Sequence, residues 1–470
     1  MALYSKGGRP QQGEPVGCQE HRLLHNKMFQ PGYCENFRCI GPACEDSCCE
    51  EWTVHVDRSA FEKYQRLPAG TLRTILDENI VPAPEPSRAG GGAATFAQIR
   101  MNAARKCPLL SAEGLCRIQM EHGEEFLPRT CANYPRITYS IGGVTEQALS
   151  LSCPEAARVV LLNPQLPTDA GSGDGPRIGC DRMQEGDPHL SCFWSIRNVA
   201  VALVQNRTYP LWQRLALLSF LSRGFDAIAP AERPERIAKL LADFAAVVAS
   251  GKLQSTLQTL PADNTQQLDL VLLLAGMLLG DAYVRPRFVE CVQAFTQGIG
   301  NGPGATLESL SACYAAAHDR HYAPFFRQHP YILENYLVNT IFRCRFPFGR
   351  DWAKTGAAPS MTRETTLLIA QFALMKGLLI GVAGFHREGF STSHVVHTMQ
   401  AASKHFEHHT EFLTRAHDLL VEKRMDGQMG LSILLRNEKP RVLSPVLPAI
   451  PVPWPAGETA VMPGQGLPPN

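Results

Sequence analysis

Five cysteines, Cys34, Cys39, Cys44, Cys48 and Cys49, fall within sixteen positions of the stretch PGYCENFRCIGPACEDSCCEEWTVHVD. Thiols three or four residues apart on a turning backbone can close on one ion, because a tetrahedral thiolate site needs short connections between paired ligands. Gly41-Pro42 supplies such a turn. A second group, Cys107, Cys116 and Cys131, follows in KCPLLSAEGLCRIQMEHGEEFLPRTCANYPRI, and Cys153 stands in LSLSCPEAARVVL. Glu113-Gly114 is a turn signal that folds the Cys107 and Cys116 thiols toward each other. Pro108 and Pro154 each follow a cysteine and hold it extended, as suits a ligand on a rigid loop. The candidate metal ligands are therefore Cys39, Cys44, Cys48, Cys49, Cys107, Cys116, Cys131 and Cys153. Zinc and iron both take thiolates, and spacing does not choose between them. The order departs from the short two-residue gaps of a bacterial ferredoxin.

Fifteen cysteines in one chain call for a compartment. The first thirty residues carry no apolar run ahead of a small-residue cleavage site, so a cytoplasmic address is expected, where cysteines serve as ligands more often than as disulfides. Charged residues make up 19% and the formal net charge is +1, a balance that gives no broad electrostatic footprint for nucleic acid. Of two long apolar stretches, 270–280 is too short for a bilayer, and 367–385 contains Gln371 and Lys376. Both are expected to be buried helices, with no membrane partner.

The elements that must position the cysteines follow from composition shifts. Residues 1–30 form a polar leader with Cys18; 31–162 hold the cysteine-rich domain; 163–192, rich in Gly, Pro and Asp, read as a linker. From 193 to 437 apolar residues recur at helical spacing. Ile196, Val199, Ala200 and Leu203 share one face, and Leu211, Leu215, Leu218 and Leu221 share another after a break at Pro210. Further helices are expected at 233–258, 265–279, 285–297, 305–318, 325–344, 363–381, 393–405 and 409–424. Residues 438–470 are a Pro-rich tail expected to be disordered. The fold class is mainly α: a small cysteine-rich loop/α metal-cluster domain followed by a larger all-α domain. Cys291, Cys313 and Cys344, inside helical patterns, read as buried small apolar residues. The glycines of PAPEPSRAGGG belong to a loop, since no P-loop Lys-Ser/Thr follows them.

The combination C-x4-C-x3-C-C, C-P-x-L with GLC, C-x2-YPR, SLSCPEAARVVL and the downstream HPYILENYLVNTIFRCRFPFG resembles the flagellin lysine-N-methylases, within the zinc- or iron-chelating proteins that carry a clustered CxxCxxxCC motif. The resemblance spans roughly residues 31–349. It implies methyl transfer to surface lysines of flagellin, S-adenosylmethionine as donor and a [4Fe–4S] cluster, with zinc as the alternative. It assigns no catalytic or donor-binding residue, and the Gly-rich turn of a nucleotide-binding α/β domain is not visible. Polar transfer to a deprotonated lysine is the favoured chemistry, because that amine is already a nucleophile; reductive cleavage of the donor is the other route. A metal-binding or metal-delivery protein without catalysis is the alternative function.

Weaker candidates complete the set. Arg129 and Arg136 could hold a donor carboxylate. Glu334 and Asn335 are expected to brace helix packing, and His405, His408 and His409 to lie on a solvated helix face.

Overall fold

The computed structural model describes residues 28–83, 96–141, 144–168, 170–173, 190–281, 283–349, 352, 358–407 and 410–438. The leader up to residue 27, most of the linker, His408, His409 and the tail from Lys439 lie outside them.

The front region is not loop and helix alone. Short alternating segments make seven strands: β1 (Met28–Pro31), β2 (Val54–Val56), β3 (Ile80–Pro82), β4 (Ala97–Ile99), β5 (Arg136–Ile141), β6 (Val144–Leu149) and β7 (Ala170–Gly173). Half-buried period-two patterns such as VHV and VTEQAL satisfy their backbone groups by pairing, and this corrects the loop/α expectation. One sheet has the order β5-β6-β1-β7, with β1 parallel to β6; the other, β2-β4-β3, is antiparallel. Small helices accompany them: α1 (Arg58–Gln65), α2 (Thr71–Asn79), α3 (Arg117–His122), α4 (Arg129–Asn133) and α5 (Pro154–Leu161).

The second region is helical, as its apolar period requires. The expected hairpin is α6 (Leu190–Gln205) and α7 (Leu211–Asp226), with Pro210 as the cap of the second helix. The 233–258 helix is broken into Arg233–Ala249 and Gln254–Thr259 by a turn in which Gly251 takes φ +69°. Later come α8 (Pro286–Gly298), α9 (Tyr331–Arg343), α10 (Met361–His386), α11 (Thr392–Phe406) and α12 (Gln428–Leu435). By length and composition α10 could cross a membrane, but 94% of its apolar window is buried inside the fold, so it is the core helix. It packs so closely on α8 that a Cβ on Gly298 would stand 1.8 Å from the Gly381 carbonyl oxygen. The two polar residues of its apolar stretch, Gln371 and Lys376, are satisfied: Arg343 donates to Gln371 at 2.9 Å, and Lys376 donates to the Leu435 carbonyl at 2.8 Å.

Two hydrophobic cores result. The small one gathers Val54, Val56, Tyr64, Leu72, Leu76, Ile99, Leu109 and Ile118. The large one runs from Tyr33 to Leu435 and takes in residues of β5, β6 and α5, so packing does not part at residue 163. The described residues up to Glu438 form one compact unit.

The hairpin β5–β6 is bolted to the helices by buried charge. Arg197 of α6 donates to both carboxylate oxygens of Glu146, at 2.8 and 2.9 Å, and to the Phe346 carbonyl. Tyr139 donates to the same carboxylate and to the Phe342 carbonyl. Asn339 of α9 brackets the strand end, donating to the Leu149 carbonyl at 2.8 Å and accepting from its N–H at 3.3 Å. Removing one partner of a buried pair strands the other, at a cost of about 3–5 kcal/mol, whereas removing both is often near neutral. Arg197→Met is expected to destabilise the protein by about that amount, with most of it recovered in Arg197→Met/Glu146→Leu; denaturant melts of the two variants decide. Additive losses in the double variant would refute the pairing argument.

Candidate metal centre

The sequence folds each cysteine segment to a terminus or turn. Cys44 ends the Gly41–Ala43 turn, where its N–H donates to the Gly41 carbonyl at 3.1 Å. Cys48 and Cys49 precede β2, and the Cys107 N–H donates to the Cys49 carbonyl at 2.7 Å, stitching the first cysteine group to the second. Leu110 and Cys116 form a bridge across the turn at Glu113-Gly114, with Gly114 at φ +76°, a conformation suited to glycine. Cys131 lies in α4, whose start is tied to α1: Asp57 accepts from the Ala60 N–H at 3.1 Å and from the Arg129 N–H at 2.9 Å. Cys153 caps α5.

All eight candidate cysteines, Cys39, Cys44, Cys48, Cys49, Cys107, Cys116, Cys131 and Cys153, line a single cavity of about 1270 Å³. Cys49, Cys116 and Cys131 pack at the edge of the small core, and Cys153 belongs to the large one, so the cavity lies where the two cores face each other. Among the described residues, no group of three or more His, Cys, Asp or Glu side chains stands in metal-holding geometry. The thiols share a cavity without converging on one point. Cys34 is instead buried in the large core, and Cys192 and Cys291 are buried as well. Cys313 and Cys344 are half-buried and do not line the cavity, and Cys18 and Cys180 lie outside the described residues.

Burial and neighbouring sulfurs govern the inner thiols, while Cys39 and Cys48 are exposed. Burial pushes Cys107 up to about 11, against a hydrogen bond from the Leu109 backbone, and Cys153 up to about 12, against backbone N–H groups of Ala156 and Glu155. Burial also raises Cys116, opposed by the backbone at Gln119 and Ile118. A hydrogen bond from Cys49 draws Cys48 down to about 7, and the same contact drives Cys49 up. Soft donors with backbone N–H groups aimed at the sulfurs fit zinc or an iron–sulfur cluster and do not fit a hard, oxygen-seeking ion.

The helical region supplies the opposite wall, which sequence reasoning did not find. Lys404 of α11 donates to Asp46 Oδ1 at 2.5 Å and to the Ser47 carbonyl at 3.2 Å. Gln400 donates to Asp46 Oδ2 at 2.6 Å and to the Ser152 carbonyl at 2.8 Å. Arg285, at the start of α8, donates to Glu51 Oε2 at 3.0 Å and to its carbonyl at 2.7 Å. Tyr283 and Arg285 hold the Glu51 carboxyl below its ordinary value against the effect of burial. These contacts clamp the segment 44–52 onto the helices. Arg136 lines the cavity and donates to the Phe37 carbonyl at 3.3 Å; Arg129 does not line it.

Other expectations resolve differently. Glu334 accepts from Arg207 and Arg214, and Asn335 donates to the Val160 and Asn163 carbonyls, so both brace packing as expected. His405 is not on a solvated face: it is buried, stacked on Phe288 with ring centroids 4.8 Å apart, and lies 2.9 Å from the Leu278 carbonyl. Its ring fills the gap beside α8, which a local reading of HFEHH does not reveal.

The helical region thus forms one wall of a cavity lined by the cysteines of the front region. Residues 197–434 match the FliB lysine N-methylase C-terminal domain, and the chain belongs to that family. It is 32% identical over 138 residues to the flagellar biosynthetic protein FliU of Salmonella muenchen, covering 29% of this chain and 78% of that protein. It is 31% identical over 138 residues to a lysine-N-methylase of Salmonella typhimurium and 30% identical to one of Salmonella choleraesuis. These matches cover 29% of this chain and one third (33%) of each methylase's length. No solved structure matches.

Lys404→Met would leave the half-buried Asp46 carboxylate without its ammonium donor. A stability loss of about 1.5–3 kcal/mol is expected, with faster alkylation of Cys48 and Cys49 as the segment loosens. Mass-mapped alkylation rates and a denaturant melt check this, and unchanged values for both would remove the clamp from the account.

Proposed function

We propose that this chain is a lysine N-methyltransferase acting on flagellin, with S-adenosylmethionine as donor, and that its cysteine cavity holds an iron–sulfur cluster, with zinc as the alternative. One observation carries the reading: the eight cysteines of the front region and Arg285, Arg287, Glu290 and Lys404 of the family-matched helical region line the same cavity. A cysteine site that served only as a folding staple would have no need of that second wall. The names of the relatives supply lysine methylation, and flagellin follows from the flagellar name of one of them.

Eight thiols suffice for two four-cysteine sites or for one site with spare ligands. Such a group would bring either a rigid structural crosslink or one-electron chemistry. The chain's own task is to admit a lysine side chain, hold its amine neutral and line it up with the donor methyl. The rigid clamp between segment 44–52 and the helices suits that alignment. Polar transfer remains the favoured route, because the neutral amine needs no radical.

The test is the lysine methylation state of flagellin, read by mass spectrometry from cells with and without this chain. Methylation is expected only with it. Anaerobically purified protein is expected to carry iron and acid-labile sulfide; colourless protein with tightly held zinc would shift the site to the structural role. Cys48→Ala should lose metal, destabilise the front region by an amount on the order of several kcal/mol and abolish methylation, while Cys313→Ala should do none of these. Full methylation by soluble, metal-free Cys48→Ala protein would separate the cysteines from the chemistry.

A further inference from the structure

A line of hydroxyl groups runs from the cavity wall into the core. Tyr134, which leads into β5, lines the cavity, and its ring packs against that of Trp52 at a centroid distance of 5.6 Å. Its hydroxyl lies 3.0 Å from Ser152 Oγ, Ser152 Oγ lies 2.6 Å from Ser150 Oγ, and Ser150 Oγ lies 2.6 Å from Glu407 Oε2. Ser150 and Ser152 are buried, the Glu407 side chain is 4% exposed, and none of the three lines the cavity. Tyr134 is therefore the cavity end of the line.

The hydrogens along it follow from counting donors. A carboxylate only accepts, and a serine hydroxyl has a single proton to give. Ser150 gives its proton to Glu407, so Ser152 donates to Ser150 and Tyr134 donates to Ser152. Every O–H points from the cavity toward the carboxylate, which is the polarity a proton hop requires. The Tyr134 hydroxyl keeps its own proton: burial pushes it well up and Cys153 pushes it further, Ser152 opposes them, and Cys48 and Asp46 add to the rise. Cys153, Cys48 and Asp46 all line the cavity, so the hydroxyl as well as the ring stands beside it. At the far end Arg343 Nε lies 3.4 Å from Glu407 Oε1, and Tyr336 is close enough to feel both charges. Arg343 is itself held by Gln371, which fixes the carboxylate in place.

We propose that Tyr134, Ser152 and Ser150 relay the proton of the substrate lysine's ammonium to Glu407, leaving a neutral amine in the cavity. The assignment rests on the lysine-methylation reading and supplies the base that reading needs. One N–H bond of the ammonium breaks as its proton passes to Tyr134 Oη; in the same shift the Tyr134 proton passes to Ser152, that of Ser152 to Ser150, and that of Ser150 to Glu407. Each hydroxyl ends with one proton and Glu407 ends neutral. The amine lone pair then bonds to the donor's methyl carbon as the donor's sulfur–carbon bond breaks, and the product leaves as a methylammonium ion. Glu407 returns its proton to the cavity through the same hydroxyls before the next turnover. An ammonium taken out of water gives up its proton more readily, and the carboxylate has to hold that proton only while the methyl group moves. Tyr134 is the group that meets the amine; Ser152, Ser150 and Glu407 act through it, and Arg343 positions the carboxylate.

The experiment measures flagellin methylation by the full chain as wild type, Tyr134→Phe and Ser150→Ala between about pH 7 and about pH 9, with a denaturant melt on each. The relay makes wild-type kcat nearly flat over that range and leaves each variant about a hundred-fold slower at the lower end, with KM for flagellin unchanged. The deficit should shrink about ten-fold per pH unit, because the neutral fraction of a lysine in solution grows at that rate below its pKa of about 10.4. A deficit of equal size at both ends is a structural disturbance and overturns the relay, as does wild-type turnover by either folded variant. Wild-type kcat that itself climbs at the solution rate overturns it even if both variants fail to fold. A second measurement needs no substrate: an acid jump followed through the infrared carbonyl band of protonated Glu407, recognised by its loss in Glu407→Gln. Tyr134→Phe and Ser150→Ala should slow the rise of that band about a hundred-fold. Equal rates remove the relay whatever flagellin shows, whereas slowed variants with no methylation at any pH leave the relay standing and remove the methylation reading.

Discussion

The buried pair of Glu146 and Arg197 is the constraint on which the site depends. Glu146 has no exposed surface and Arg197 retains 1%, so each is tolerable only because the other is there. Their contact fixes the β5–β6 hairpin against α6, and the open end of that hairpin is where the chemistry-bearing residues emerge. Tyr134 and Arg136 lead into β5, while Ser150, Ser152 and Cys153 leave β6, and the Ser150 N–H closes the gap by donating to the Pro135 carbonyl at 2.8 Å. A slip of one residue in this hairpin would turn Glu146 away from Arg197 and carry Tyr134 and Cys153 away from each other. The register that satisfies the charge is the register that builds the wall.

The cavity is assembled from parts of unequal stiffness. The small core that carries Cys49, Cys107, Cys116 and Cys131 is built from three-residue strands and helices of five to nine residues, too little to hold a precise geometry alone. The helical region, organised around the almost wholly buried α10, is the rigid partner. Lys404, Gln400 and Arg285 transfer that rigidity across the cavity by gripping backbone carbonyls as well as carboxylates, which fixes the chain path from Asp46 to Glu51 and leaves less to side-chain chance.

What the sequence disclosed follows from how local each signal is. The eight cysteines were legible because the residue is rare and its clustering is not explained by packing, and the helices because a 3.6-residue apolar period persists over many turns. The strands were not. Yet RITYSI and VTEQAL flank Gly142-Gly143, a hairpin signal that the nearby cysteines overshadowed. Trp52 and Tyr134 passed unnoticed because an isolated aromatic residue is most often core, and nothing local distinguishes one that lines a cavity. Lys404 and Arg285 were beyond reach for another reason: their partners Asp46 and Glu51 lie 358 and 234 positions away, and no periodicity encodes an ion pair at that separation.

Gathering eight thiols in one cavity creates an electrostatic problem that the protein itself only partly solves. Ionising any one thiol raises the cost of ionising its neighbours. Cys131 is pushed well up by burial and then by Cys48, Cys116 and Cys107, and Cys49 is pushed up by Cys48 and then by burial and further thiols. Backbone N–H groups at Cys107, Cys116 and Cys153 offset this, and Lys404 brings one full positive charge near Cys48. For Cys49 and Cys131, burial and the neighbouring sulfurs prevail. A soft multivalent cation of the kind proposed above would supply positive charge at these sulfurs, and its binding would displace protons from the thiols.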